Sequence, residues 1–297
     1  MCLIALAVEP PGLPWLLVLA ANRDEFHDRD AVPAGYWDGD PQGILAGRDL
    51  QGGGTWLGLR RAAGGSRLRL GALTNLRPGL MPRPELPQAA PATAPPSRGH
   101  LVTGFLRADT GPDDYLRQLQ PEVTAYAGLN LLAVELQVKP GSGRVVARYL
   151  NNMPGARPVT IAAGGHALSN ATLDVPWPKT QRLQHAMHDL LGDDPARQRL
   201  VGNAAGVDEP ARLGSALLDA LADRTTAPPA DLPDTGLEPE RERLLSSPFI
   251  VDEHYGTRCS TVILVSRNGA VFFAERRFGP GGRLLGMMTE RFELKRD

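Results

Sequence analysis

Two apolar runs open this chain, and they limit its fold more than any other feature. Cys2-Leu3-Ile4-Ala5-Leu6-Ala7-Val8 and Trp15-Leu16-Leu17-Val18-Leu19-Ala20-Ala21 are each of strand length, and the turn composition Glu9-Pro10-Pro11-Gly12 separates them. The pair reads as a buried β-hairpin. It ends abruptly in Asn22-Arg23-Asp24-Glu25-Phe26. If the strands pair antiparallel, this polar segment lies beside Cys2, at the mouth of the hairpin. Successive strand residues point to opposite faces, so Arg23 and Asp24 both face Cys2 only if the strand has ended before them.

That placement gives Cys2 a possible chemistry. Once Met1 is removed, the residue carries a thiol of reference pKa about 8.5 and a free α-amine of about 7.7–8.0. The amine can take the thiol proton, which is a recognised route to an activated nucleophile. A guanidinium beside the thiol lowers its pKa, and a carboxylate can hold the ammonium form of the amine. Two plainer readings stand beside this one: Cys2 as a small apolar residue starting a strand, and residues 22–25 as a charged strand end facing water.

Further along, residues 55–60 and 68–75 read as strands, with Gly52-Gly53-Gly54 allowing a close backbone approach or a bulge. Proline recurs at Pro78, Pro82, Pro84, Pro87, Pro91, Pro95 and Pro96, so this stretch reads as a loop that drapes a site or simply covers surface. Residues 97–108 and 112–119 have helical apolar spacing and are expected to cover one sheet face. Strand patterns return at 129–137, 145–150 and 159–163, which are expected to build a second sheet. Residues 178–191 and 209–222 read as amphipathic helices, followed by a Pro- and Asp-rich linker over 227–239. Residues 261–266 and 270–276 form a hairpin through Arg267-Asn268-Gly269, where Asn-Gly suits a tight turn with positive φ. The pattern is α+β, and one domain over 1–297 is the simplest division.

Composition excludes several classes. Thirty-two basic residues against 33 acidic give a net charge of −1, so no broad basic surface for nucleic acid or anionic membrane is expected. Two cysteines, Cys2 and Cys259, are too few for a secreted disulfide framework. Cys259 reads as a buried strand thiol, with a regulatory disulfide to Cys2 as the other option. The run 13–21 lacks the basic segment that precedes a signal core, and no apolar run reaches membrane-spanning length, so a cytoplasmic protein without stable membrane insertion is expected. The glycines at 52–54 precede neither Lys-Ser/Thr nor a helix, so they do not form a phosphate loop. His185 and His188 lie three apart on the expected helix, but no further ligand completes a zinc motif, and a solvated helix face is the better reading. No metal or resident cofactor is expected. A single axial histidine for haem leaves no sequence pattern.

Several segments together resemble one family. Met1-Cys2-Leu3-Ile4, Ala20-Ala21-Asn22-Arg23-Asp24-Glu25-Phe26, Gly53-Gly54-Thr55-Trp56-Leu57-Gly58 and Ala72-Leu73-Thr74-Asn75 resemble the NRDE family, also called the transport and Golgi organisation protein 2 family. Leu168-Ser169-Asn170-Ala171-Thr172-Leu173-Asp174-Val175-Pro176-Trp177-Pro178-Lys179 and Tyr255-Gly256-Thr257-Arg258-Cys259-Ser260-Thr261-Val262-Ile263-Leu264-Val265 are similar to its central and C-terminal signatures. The resemblance implies an N-terminal nucleophile hydrolase-like fold, a four-layer αββα sandwich of two mainly antiparallel sheets. It also implies a site: Cys2 as nucleophile, Arg23 and Asp24 beside it, Asn75 and Asn170 as oxyanion donors, and Arg258 as a second arginine. In the related hydrolases two residues separate the arginine from the acid. Here they are adjacent, which leaves Asp24 and Glu25 both open for that role. Two functions follow as expectations: hydrolysis of a non-peptide or small amide C–N bond, or binding and trafficking of haem or lipid in the same cleft without turnover.

Overall fold

The computed structural model describes residues 2–40, 43–62, 64–80, 95–139, 142–192 and 208–295. In chain order its strands are β1 (Cys2–Val8), β2 (Trp15–Phe26), β3 (Ala31–Tyr36), β4 (Ile44–Asp49), β5 (Leu57–Arg61), β6 (Arg67–Asn75), β7 (Leu129–Lys139), β8 (Ser142–Asn151), β9 (Val159–Thr160), β10 (Gly164–Leu168), β11 (Tyr255–Ser266), β12 (Ala270–Gly279) and β13 (Arg283–Glu293). The described helices are α1 (Gly99–Arg107), α2 (Pro112–Leu119), α3 (Pro178–Leu191), α4 (Glu209–Ala220) and α5 (Pro239–Leu244). One sheet runs in the order β10-β1-β2-β11-β12-β13, the other in the order β3-β4-β5-β6-β7-β8-β9. The first is antiparallel throughout, as is the second.

The apolar hairpin explains the layering. Every residue of β1 is buried. On one face Cys2, Ile4, Leu6 and Val8 join the core between the two sheets. On the other, Leu3, Ala5 and Ala7 meet Leu183 and Met187 of α3 and Leu213 and Leu217 of α4. A strand covered on both faces has no reason to alternate, hence the continuous apolar run. Helices α1 and α2 pack on β5 to β8 of the second sheet, while α3 and α4 pack on β1, β10, β11 and β12 of the first. The order is therefore helices, sheet, sheet, helices, the expected α+β sandwich.

Helix α1 approaches its sheet closely because two strand positions opposite it lack side chains. A Cβ on Gly71 would meet Val102 Cγ1 at 2.9 Å, and one on Gly58 would meet Leu106 Cδ1 at 3.1 Å. Phe105, wholly buried on the same helix, fills the space. Truncating such a side chain to alanine typically costs about 3–5 kcal/mol.

Several expectations are corrected in detail. Strands β3, β4, β10 and β13 have no apolar alternation strong enough to be read beforehand. Pro33 is tolerated because β3 is an edge strand with a register shift between Val32 and Gly35. The 159–163 segment keeps only Val159–Thr160 as strand, and the helix expected over 209–222 ends at Ala220. The turn keeps the expected three residues 267–269, with positive φ at Gly269 but not at Asn268. Within the proline-rich stretch, residues 81–94 lie outside the described residues.

Candidate functional site

The register places four side chains in one row at the end of the first sheet. Cys2 on β1 pairs with Arg23 on β2, Arg23 with Cys259 on β11, and Cys259 with Arg277 on β12. Cys2 and Cys259 both belong to the core between the sheets, which fixes the row on that face. A cavity of ≈ 670 Å³ opens there, with Cys2, Arg23, Asn75, Arg98, Arg258 and Glu275 among its lining residues.

A bulge sets the row. β11 advances from Thr257 to Cys259 while β2 steps only from Asp24 to Arg23, so Arg258 is the extra residue. The bulge leaves Thr257 on the same side as Asp24 and returns Cys259 to the cavity side beside Arg23. Bulges often re-aim a side chain in this way. Arg258, freed from alternation, donates through Nη1 to Phe26 O at 2.6 Å and Arg29 O at 3.0 Å. Burial, then the charge of Arg23, hold its pKa below the ordinary arginine value.

The residues of Asn22-Arg23-Asp24-Glu25 divide their work by alternation, because β2 continues to Phe26. Asn22 is fully buried and donates to Leu221 O and Pro248 O, both at 2.8 Å, while Ser260 Oγ donates to its Oδ1 at 2.6 Å. It ties β2 to the segments behind the sheet. Arg23 faces the cavity and donates to Asp49 Oδ2 at 3.1 Å. Arg29 Nε donates to the same oxygen at 2.6 Å and lies 3.9 Å from Glu25. Asp49 also accepts from the Gln51 and Gly52 amides at 3.0 and 2.7 Å. Burial raises the Asp49 pKa, but the hydrogen bonds from Arg29 and Gly52 outweigh it and hold the carboxyl below its ordinary value. No sequence pattern marks Asp49 as part of the site.

Asp24 turns the other way, toward the helices. Thr257 donates to its Oδ1 at 2.7 Å and Tyr255 to its backbone oxygen at 3.1 Å. Burial pushes the Asp24 carboxyl up, opposed by the charge of Lys179. Lys179, in the first turn of α3, is only 1 % exposed. Burial pulls its ammonium down to about 8, with the Asp24 charge acting against that fall. Lys179 Nζ donates to Asn170 Oδ1 at 3.3 Å, and Asn170 Nδ2 in turn donates to Asn75 O at 2.9 Å. A chain of polar contacts thus runs from behind Cys2 to the cavity wall on β6.

Of the residues expected at the site, Cys2, Arg23, Asp24, Asn75 and Arg258 contribute to the cavity. Asn170 does not line it; it is wholly buried and braces Asn75. Glu25 lies on the Cys2 face by alternation, and Asp24 on the opposite one. Cys2 and Cys259 flank Arg23 on alternate strands, about 9.6 Å apart at the strand spacing, beyond the span of a disulfide. Burial pushes the Cys2 thiol up to about 11, against the lowering influence of Arg23. As it stands the thiol is therefore unreactive at neutral pH and needs a base. Lys179 was visible in sequence only as one residue of a motif, since nothing in a spacing pattern marks a lysine as buried. Pro95 and Pro96, at the end of the proline-rich stretch, do line the cavity. His185 and His188 are exposed on α3, as a solvated face requires. His100 is the imidazole at the cavity wall.

Among the described residues no helix is long and apolar enough to cross a membrane. A family model described as Transport and Golgi organisation 2 matches residues 1–280. The mouse Transport and Golgi organization 2 homolog is 33% identical over 291 residues, covering 93% of this chain and 92% of the mouse protein. The bovine Transport and Golgi organization protein 2 homolog is 34% identical with the same coverage. The Drosophila melanogaster Transport and Golgi organization protein 2 is 26% identical over 284 residues, covering 93% and 91%.

Proposed function

The chain belongs to the Transport and Golgi organisation 2 family, and on that premise we propose that it is a cysteine N-terminal nucleophile hydrolase acting on a non-peptide or small amide C–N bond. The observation that carries this reading is the position of Cys2: first residue of a buried strand, on the cavity wall, in register with a buried arginine.

In the proposed reaction Cys2 heads the mature chain. Its α-amine takes the thiol proton, and the thiolate attacks the amide carbonyl. Arg23 favours the thiolate, and Asp49 keeps that guanidinium oriented. Negative charge gathers on the carbonyl oxygen, where the Asn75 carboxamide donates and Asn170 positions it. The α-ammonium returns its proton to the departing amine, leaving a thioester on Cys2. Water, deprotonated by the same amine, releases the acid. Asp24 and Lys179 form the buried charged support behind the amine.

Carriage of haem or lipid in the same cavity is the second reading, suggested by a family named for transport. The test is intact mass of the purified protein before and after a thiol-reactive acyl probe. Loss of Met1 with a single adduct on Cys2, and no turnover in Cys2→Ala, supports hydrolysis. Retained Met1, or full activity in Cys2→Ala, rejects it and leaves carriage.

A further inference from the structure

Within the cavity row, Arg277 stands apart. It is three strands from Cys2, which the strand spacing converts to about 14 Å. Arg23 is engaged by Asp49, and Arg258 by two backbone oxygens. Arg277, half-buried on the cavity wall, makes no side-chain hydrogen bond or salt bridge among the described residues. The acid nearest to it along its own strand face, Glu275, feels its charge but makes its hydrogen bonds elsewhere. Its Oε1 accepts from the Ala34 amide at 3.0 Å and its Oε2 from the Thr261 hydroxyl at 3.4 Å, and burial pushes its carboxyl up toward the neutral form.

The surroundings leave room for an anion beside apolar side chains. Opposite Arg277, β13 carries Gly286, where a Cβ would come within 2.8 Å of Arg277 Nη2. The missing side chain gives the guanidinium room at the cavity edge. Phe278, Leu285 and Val32 line the same region. A half-buried arginine with no hydrogen-bonded or ion-paired partner among the described residues binds a carboxylate more strongly than a fully solvated one does.

We infer that Arg277 anchors a terminal carboxylate on an elongated substrate whose scissile amide lies over Cys2. This rests on the hydrolase reading and gives it a substrate class: amides joined to a carboxylate by a mainly apolar spacer of roughly a dozen bonds.

Dodecanedioic acid monoanilide and its methyl ester test this. Binding of each to Cys2→Ala is measured by calorimetry, and aniline release by the wild-type protein is measured separately. The acid should bind about tenfold or more tighter than the ester, and Arg277→Gln should erase that preference while Arg277→Lys keeps part of it. Equal affinity for acid and ester, binding of neither, or a preference that survives Arg277→Gln overturns the assignment. Acid-selective binding without aniline release rejects the hydrolase reading but keeps the subsite. Equal aniline release from acid and ester keeps the hydrolase and rejects the subsite.

Discussion

Replacing Lys179 with methionine separates what this buried charge costs the fold from what it supplies to the site. Burial lowers the lysine from 10.5 to about 8. At about 1.4 kcal/mol per tenfold change in proton affinity, that fall corresponds to about 3 kcal/mol. The unfolded chain holds the proton up to about 10.5, whereas the folded protein releases it near 8. The unfolded state therefore binds more protons between these values, and the lysine's contribution to stability rises with pH across that window. Below pH 8 the folded protein bears the whole penalty. Cys2 acts in the opposite sense: its raised thiol contributes stability that is lost as pH climbs from 9 to about 11. A single wild-type profile would mix the two, so the quantity to measure is the difference between wild type and Lys179→Met. Urea unfolding followed by tryptophan fluorescence at pH 7, 8.5 and 10 should show that difference shifting in favour of wild type by up to about 3 kcal/mol over this range. Activity should fall in the same variant, because the Asn170 brace on Asn75 loses its support. A difference that stays flat from pH 7 to 10 refutes the reasoning.

Asp49→Asn should destabilise the protein by about 3 kcal/mol at neutral pH, because the buried Arg23 loses its charge partner. The Asp49 carboxyl is held below its ordinary value of 3.8, so its contribution is present above that value and lost as pH falls below it; unfolding at pH 7 and pH 3 should show the variant less acid-sensitive than wild type. Gly54→Ala should lower stability by about 1–3 kcal/mol, read as a drop in Tm, because its Cβ would lie 2.3 Å from the backbone carbonyl carbon of Gly99. Mild oxidation should give no Cys2–Cys259 crosslink, and a peptide map showing that bond would contradict the strand order.

The hairpin, the helices at Pro112–Leu119 and Pro178–Leu191, and the second sheet's central strands were legible because their apolar spacing reports burial directly. The edge strands β3 and β13 were not. Their exposed faces demand little of the side chains, and backbone pairing with one neighbour holds them in place. At the site, antiparallel pairing put Arg23 opposite Cys2 as the sequence implied. The split between Arg23 and Asp24 depended on where β2 ends, which composition did not reveal. Asp49 sits on a strand that lacked a pattern. The brace from Lys179 to Asn75 crosses residues far apart in sequence and is set by tertiary packing alone.

The position of the opening hairpin also governs when the molecule can be completed. β1 and β2 leave the ribosome well before β10 and β11, their neighbours in the sheet, so Ile4 waits for Leu168 and Ala21 for Thr261. Pairings this distant in sequence form slowly, and an apolar strand without its neighbours is open to misassembly during synthesis. The hairpin is made long before it is enclosed. The segment that carries Cys2 therefore stays uncovered at its edges until Leu168 and Thr261 have been made.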